Sequence, residues 1–215
     1  MIDYEVARTR MVKEQLISRS ISDERVLKAM SFLPRHLFVD QAFWPRAYGD
    51  HPLPIGGDQT ISQPYIVALM TQELKLSGGE KILEIGTGSG YQAALLAVLD
   101  CTVYTVERNR ELAKKAEKAI KKLNLKNVSI KLGDGSIGWT EKAPFDRIIV
   151  TAGAPDIPED LMDQLAIGGR IVIPVGNRVS QNLTVIIKGE NIIEKNELCG
   201  CAFVPLLGKQ GWANG

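Results

Sequence analysis

Histidine and cysteine are scarce in this chain, and the shortage restricts its chemistry. The two histidines, His36 and His51, and three cysteines, Cys101, Cys199 and Cys201, are too small a pool for the usual His/Cys zinc site, so no metal is expected. An odd number of cysteines in 215 residues does not form a disulfide framework. Cys199 and Cys201 are separated by one residue in a strand-like segment, so both should face the same way and serve as small core residues. A net charge of +1 gives no bulk attraction to nucleic acid or to an anionic membrane. No apolar run approaches the ~18 residues of a membrane span. The start, Met1-Ile2-Asp3-Tyr4-Glu5, carries acids where a secretory leader would be basic and then apolar. Together these features place the chain in the cytoplasm, without a nucleic-acid or membrane partner.

Hydrophobic residues make up 45% and charged residues 24% of the chain, which is ordinary for a globular protein able to bury a large core. One domain over residues 1–215 is expected, with a helical and loop region at 1–77 and an α/β core at 78–215. Apolar runs rich in branched residues read as strands at 81–85, 102–106, 128–132, 145–152 and 170–175. Helical patterns fill residues 91–99 and 109–124 between them. In the second of these, Leu112, Ala116, Ala119, Ile120 and Leu123 form the buried face. Lysines 114, 115, 118, 121 and 122 form a cationic face without interleaved aromatics, which reads as solvated surface. Alternating strands and helices predict a doubly wound, mostly parallel sheet. Residues 182–188 and 192–195 are joined by only Gly189-Glu190-Asn191, too short for a crossover helix, and so predict an antiparallel hairpin at the carboxyl-terminal edge.

The first core strand, Lys81-Ile82-Leu83-Glu84-Ile85, runs into Gly86-Thr87-Gly88-Ser89-Gly90. Alternate glycines let the chain turn sharply and present bare backbone N–H groups to a ligand. A dinucleotide fingerprint needs its third glycine where Tyr91 stands. The pattern Glu84-x-Gly86-x-Gly88-x-Gly90 instead resembles motif I of the S-adenosylmethionine-dependent methyltransferases, whose acidic residue lies near the amino-acid end of the cofactor. Glu107 closes the next strand, where an acidic side chain can accept hydrogen bonds from both ribose hydroxyls.

Ahead of the core, a helix is expected over 3–18 and a second one beginning at Ser22, its candidate cap, and stopped by Pro34. Residues 38–54, with Phe38, Phe43, Trp44 and Tyr48 among prolines, read as an ordered lid over the cofactor end. The stretch 54–65 mixes turn formers with hydroxyls before a helix at 66–74. Loops of this kind carry binding groups, and Thr60 or Ser62 as a mere helix cap is the bland alternative.

With that order in view, the chain resembles the protein-L-isoaspartate O-methyltransferases over nearly its full length. The resemblance rests on Pro52-Leu53-Pro54-Ile55-Gly56 with Gln59-Thr60-Ile61-Ser62-Gln63-Pro64, on 84–90, on Gly133-Asp134-Gly135 and on Phe203-Val204-Pro205-Leu206. It implies a class I, Rossmann-like methyltransferase fold and repair of isoaspartyl residues, with D-aspartyl residues as a further substrate class, in damaged proteins and peptides. The methyl donor would be S-adenosylmethionine, leaving S-adenosylhomocysteine. Cofactor contacts are implied at Gln59, Thr60, Ile61, Ser62, Glu84, Gly86, Thr87, Gly88, Ser89, Gly90, Glu107, Arg108, Asp134 and Gly135, with the Asp134 loop bordering adenine. Ile61, Ser62, Val204, Pro205 and Leu206 would meet the peptide, with Ser62 nearest the chemistry. Some members carry a histidine where Val67 stands, so no contact is carried onto position 67, nor onto residues after Leu206. A carboxylate nucleophile is already ionised at neutral pH, so no general base is required and neither histidine is given a catalytic task. A monomer is expected. Competing readings are a methyltransferase of a small molecule or RNA, a nicotinamide-dependent oxidoreductase, and a non-catalytic nucleotide-binding module.

Overall fold

The computed structural model describes residues 3–213. Five parallel strands form the centre of its main sheet: β3 (Lys81–Ile85), β4 (Thr102–Glu107), β5 (Val128–Leu132), β6 (Phe145–Val150) and β7 (Leu165–Gly176). The antiparallel β8 (Gln181–Lys188) and β9 (Ile193–Cys201) extend it in the order β5-β4-β3-β6-β7-β8-β9. The expected parallel core and antiparallel carboxyl-terminal edge are therefore present. β7 and β9 run longer than the apolar pattern indicated, because strand pairing holds residues that periodicity alone leaves ambiguous.

Helices α4 (Tyr91–Val98) and α5 (Arg110–Lys122) connect the first strands, and α6 (Glu159–Gln164) precedes β7. Asn109 caps α5 by accepting from the amides of Glu111 and Leu112, while Leu112, Ala116 and Ile120 are buried and the five lysines stay exposed. Gly90, at φ +84°, precedes α4, and a Cβ there would lie 3.1 Å from the Ala116 side chain. Its missing side chain is what lets α4 and α5 pack closely. Both glycine conformation and helix contact are thus met by one residue.

The amino-terminal flank packs α1 (Tyr4–Met11) and α2 (Glu24–Phe32) against α3 (Pro64–Glu73) and the core. The expected helix over 3–18 is divided: beyond α1 the backbone widens into a π-helical turn at Val12–Leu16, then tightens into a 3-10 turn at Ile17–Arg19. Ser22 is not the cap of α2. Asp23 accepts from the amides of Arg25 and Val26, and the N–H groups of Ser22 and Asp23 both donate to Gln72 Oε1.

Two 3-10 turns, Arg35–Phe38 and Gln41–Arg46, carry the aromatic segment. His36 stacks on Tyr4 with ring centroids 4.3 Å apart and shares a 2.8 Å hydrogen bond with the Tyr48 hydroxyl. Burial, with the charge of Arg8, holds its imidazole below the usual range. The stretch after it is a hairpin where sequence suggested an ordered binding loop: β1 (Leu53–Gly56) pairs with β2 (Gln59–Ile61). Its turn residues Gly57 and Asp58 both have positive φ, +58° and +55°, the combination that matches strand twist in a two-residue connection.

Candidate active site

Where the strand order reverses beside β3, the carboxyl ends of the parallel strands open into a cavity of about 390 Å³. This is the usual place for a ligand in an open α/β sheet. Three walls meet there: the hairpin and its continuation into α3, the glycine turn with the end of β4, and the strand-like tail at 204–207.

The glycine turn is held by specific bonds. Gly86 has φ +94°, and a Cβ on it would fall 2.6 Å from Thr151 Oγ1, whose hydroxyl lies 3.0 and 2.8 Å from the carbonyls of Ile85 and Gly86. Thr87 Oγ1 pairs with Thr105 Oγ1 at 2.7 Å. The amide of Gly88 donates to Glu107 Oε2 and that of Asn109 to Glu107 Oε1, both at 2.8 Å. Each carboxylate oxygen has further lone-pair capacity. Glu107 is therefore fixed in place with acceptor sites still available in the cavity wall.

On the opposite wall, Ser62 is half-buried just before α3. Neither it nor Thr60 caps that helix: the cap position is Gln63, without a side-chain bond, and Pro64 occupies the first turn. Ser62 is oriented through its backbone. Its carbonyl accepts from Nη2 of Arg35 at 2.7 Å, and Nε of the same guanidinium donates to the Ala47 carbonyl at 2.8 Å. The third wall is tied by backbone bonds, with Gly153 N–H to the Val204 carbonyl and Leu206 N–H to the Gly153 carbonyl, each 2.8 Å.

Fourteen of the residues singled out from sequence line this cavity: Gln59, Thr60, Ile61, Ser62, Gly86, Thr87, Gly88, Ser89, Glu107, Arg108, Gly135, Val204, Pro205 and Leu206. Three do not. Gly90 serves helix packing. Glu84 lies fully buried behind the turn beside Thr105, and burial pushes its carboxyl up to about 8. Asp134 faces an adjoining hollow that shares Arg108 and Leu207 with the cavity. Its carboxylate accepts from the amide and hydroxyl of Ser136 and from the Lys209 amide, at 2.7–2.8 Å, so it caps a turn and binds the tail.

Sequence reasoning also passed over residues that the fold brings to the wall, among them Val67, Met70, Tyr91, Gln92, Thr151 and Leu207. Tyr91 and Gln92 follow the last glycine directly, a signal that proximity to the turn offered. The aromatic segment expected as a lid contributes no side chain between Phe38 and Tyr48 to the wall. The hairpin takes that place, and the aromatic segment reaches the wall only from behind, through the edge contact of Phe38 with Tyr91 at the start of α4, at 5.3 Å. Neither histidine reaches the cavity.

The cavity's donor set suits an uncharged adenosyl group: bare amides at a turn too tight for a Cβ, a fixed carboxylate acceptor and no cluster of cations for phosphates. The fold and this site are those of an S-adenosylmethionine-dependent methyltransferase. More narrowly, the model of the family "Protein-L-isoaspartate(D-aspartate) O-methyltransferase (PCMT)" matches residues 7–211, and the chain belongs to that family. A protein-L-isoaspartate O-methyltransferase of Geobacter metallireducens is 60% identical over 213 residues, covering 98% of each chain. A solved protein-L-isoaspartate O-methyltransferase matches with a TM-score of 0.85 at 29% identity, covering 96% of this chain and 67% of its own. A putative member from Plasmodium falciparum, solved in complex with S-adenosyl-L-homocysteine, matches with a TM-score of 0.81 at 28% identity over 93% of this chain and 98% of its own. The chain is thus a repair methyltransferase of isoaspartyl residues that uses S-adenosylmethionine.

Proposed function

We propose that the methyl donor lies along the glycine turn with its ribose on Glu107, and that the isoaspartyl carboxylate enters between Ser62 and the Val204–Leu206 tail. The observation that carries this reading is the convergence of those three walls on one cavity. Bound S-adenosylmethionine supplies a methyl group on a sulfonium, open to in-line attack. The incoming carboxylate is ionised at neutral pH, so the chain's task is alignment, which alone can supply on the order of 7–11 kcal/mol. Ser62 offers a hydroxyl donor to one carboxylate oxygen. Among the described residues no histidine lines the cavity to activate it as a nucleophile, and the reaction does not require one.

Methyl transfer from labelled cofactor to matched peptides tests the reading. Isoaspartyl peptides should be methylated and the aspartyl counterparts should not; equal labelling of both would overturn it, and a D-aspartyl peptide defines the breadth of the site. We read residues 1–215 as one domain, supported by a core cluster that joins α1, α2 and α3 to the sheet. Exposed Glu194, Lys195 and Glu197 put charge on the β9 edge, a feature that discourages strand addition and supports a monomer. Among the described residues no helix is long and apolar enough to cross a membrane, and all three cysteines are free, which supports a cytoplasmic setting.

A further inference from the structure

Arg35 is completely buried, yet among the described residues its guanidinium forms no ion pair with a carboxylate. Two of its nitrogens are bound to the carbonyls of Ala47 and Ser62, while Nη1 has no hydrogen-bond partner. The ring of Tyr91 lies 5.1 Å from the guanidinium carbon, with Tyr48 also nearby, and Tyr91 lines the cavity. Burial lowers the guanidinium to about 10, which still leaves it charged at neutral pH. An unpaired buried charge is costly, and a structural tie between two carbonyls needs no charge at all. The cavity admits two carboxylates, that of the cofactor's amino-acid end and that of the substrate, and the one proposed to meet Ser62 is the substrate's.

We propose that Arg35 is a positioning residue for methyl transfer, fixing Ser62 through its carbonyl and supplying from behind it the positive charge that favours a carboxylate over a neutral group. The inference rests on Ser62 meeting the substrate. Nη2 is 2.7 Å from the Ser62 carbonyl, so a carboxylate bonded to the Ser62 hydroxyl lies within about 10 Å of the charge. At the effective dielectric of a protein site, that separation still corresponds to roughly tenfold in affinity. The other ionic groups on the cavity wall, Glu107 and Arg108, belong to the opposite, cofactor side.

The test compares Arg35→Gln, which keeps a donor without charge, with Arg35→Lys, which keeps charge without the two-pronged geometry. Calorimetry with S-adenosylhomocysteine present gives the affinity for an isoaspartyl peptide and for the same peptide with that carboxylate replaced by a carboxamide. Arg35→Gln should weaken the carboxylate peptide roughly tenfold and the carboxamide peptide by no more than about twofold. Arg35→Lys should retain the carboxylate preference but lower kcat about tenfold, because one compact donor cannot hold both carbonyls. A merely structural arginine would weaken both peptides alike, and that outcome overturns the proposal. Should Arg35→Gln fail to bind the cofactor product, Arg35→Lys decides: wild-type kcat refutes the proposal, and reduced kcat with preserved preference supports it. Ser62→Ala assayed alongside separates the two readings. Wild-type turnover there removes the Ser62 assignment and this inference with it. Lost turnover there with unaltered Arg35 variants removes this inference alone.

Discussion

Glu107, at the end of β4, accepts a 2.8 Å hydrogen bond from the amide of Gly88 in the neighbouring glycine turn. One side chain therefore shapes the turn and presents an acceptor to whatever the turn binds. The two tasks fail together when the carboxylate is removed.

Glu107→Ala should weaken S-adenosylhomocysteine binding by about 1.5–3 kcal/mol, roughly 10- to 150-fold. Titration calorimetry measures this directly. An unchanged dissociation constant would move the ribose away from Glu107.

Ser62→Ala should reduce turnover on an isoaspartyl peptide by about 10- to 1000-fold, the range for one positioned donor. Its hydroxyl caps no helix, so the melting temperature and cofactor affinity should stay near wild type. Steady-state kinetics beside a thermal melt distinguish the two effects. A loss of stability equal to the loss of rate would make Ser62 a structural residue.

Asp134→Ala removes the acceptor for the Ser136 amide and hydroxyl and for the Lys209 amide. About 1–3 kcal/mol of stability should be lost, and the tail after Leu206 should become more open to limited proteolysis. If proteolysis were unchanged while cofactor affinity fell, Asp134 would be acting on the adenine side alone.

Glu84 gives the pH prediction. Burial holds its carboxyl at about 8 in the folded chain, above the ordinary value of 4.5, so between those values the folded chain keeps a proton that the unfolded chain releases. Glu84's contribution to stability should therefore fall as pH rises from about 4.5 to about 8. Glu84→Gln, which carries no such proton, should lack this decline and gain roughly 1–4 kcal/mol relative to wild type on going from pH 5 to pH 8. Denaturant melts at both values check it, and parallel curves would show that Glu84 ionises freely.

The local pattern of the chain determined much of this architecture. Branched apolar runs gave the central strands, because a strand buried on both faces tolerates little else. The three alternate glycines gave the turn, because the backbone there takes positive φ at Gly86, Gly88 and Gly90. The lysine-rich stretch gave α5 and its solvated face through helical periodicity alone. Ser62, Glu107 and the tail at 204–206 were legible because each lies in a short motif at a strand or helix end.

Tertiary structure decided what no local pattern encodes. Arg35 reads as an ordinary charged residue after Pro34; only the fold encloses it and places its guanidinium on a carbonyl 27 residues away. Glu84 and Asp134 look alike in sequence as acids beside glycines. One became a buried carboxyl behind the turn and the other a cap for the tail, because strand register and the return of residues 207–210 set their partners. Hydrogen bonds and burial across such distances depend on which segments meet, and the spacing of residues along the chain carries no record of that.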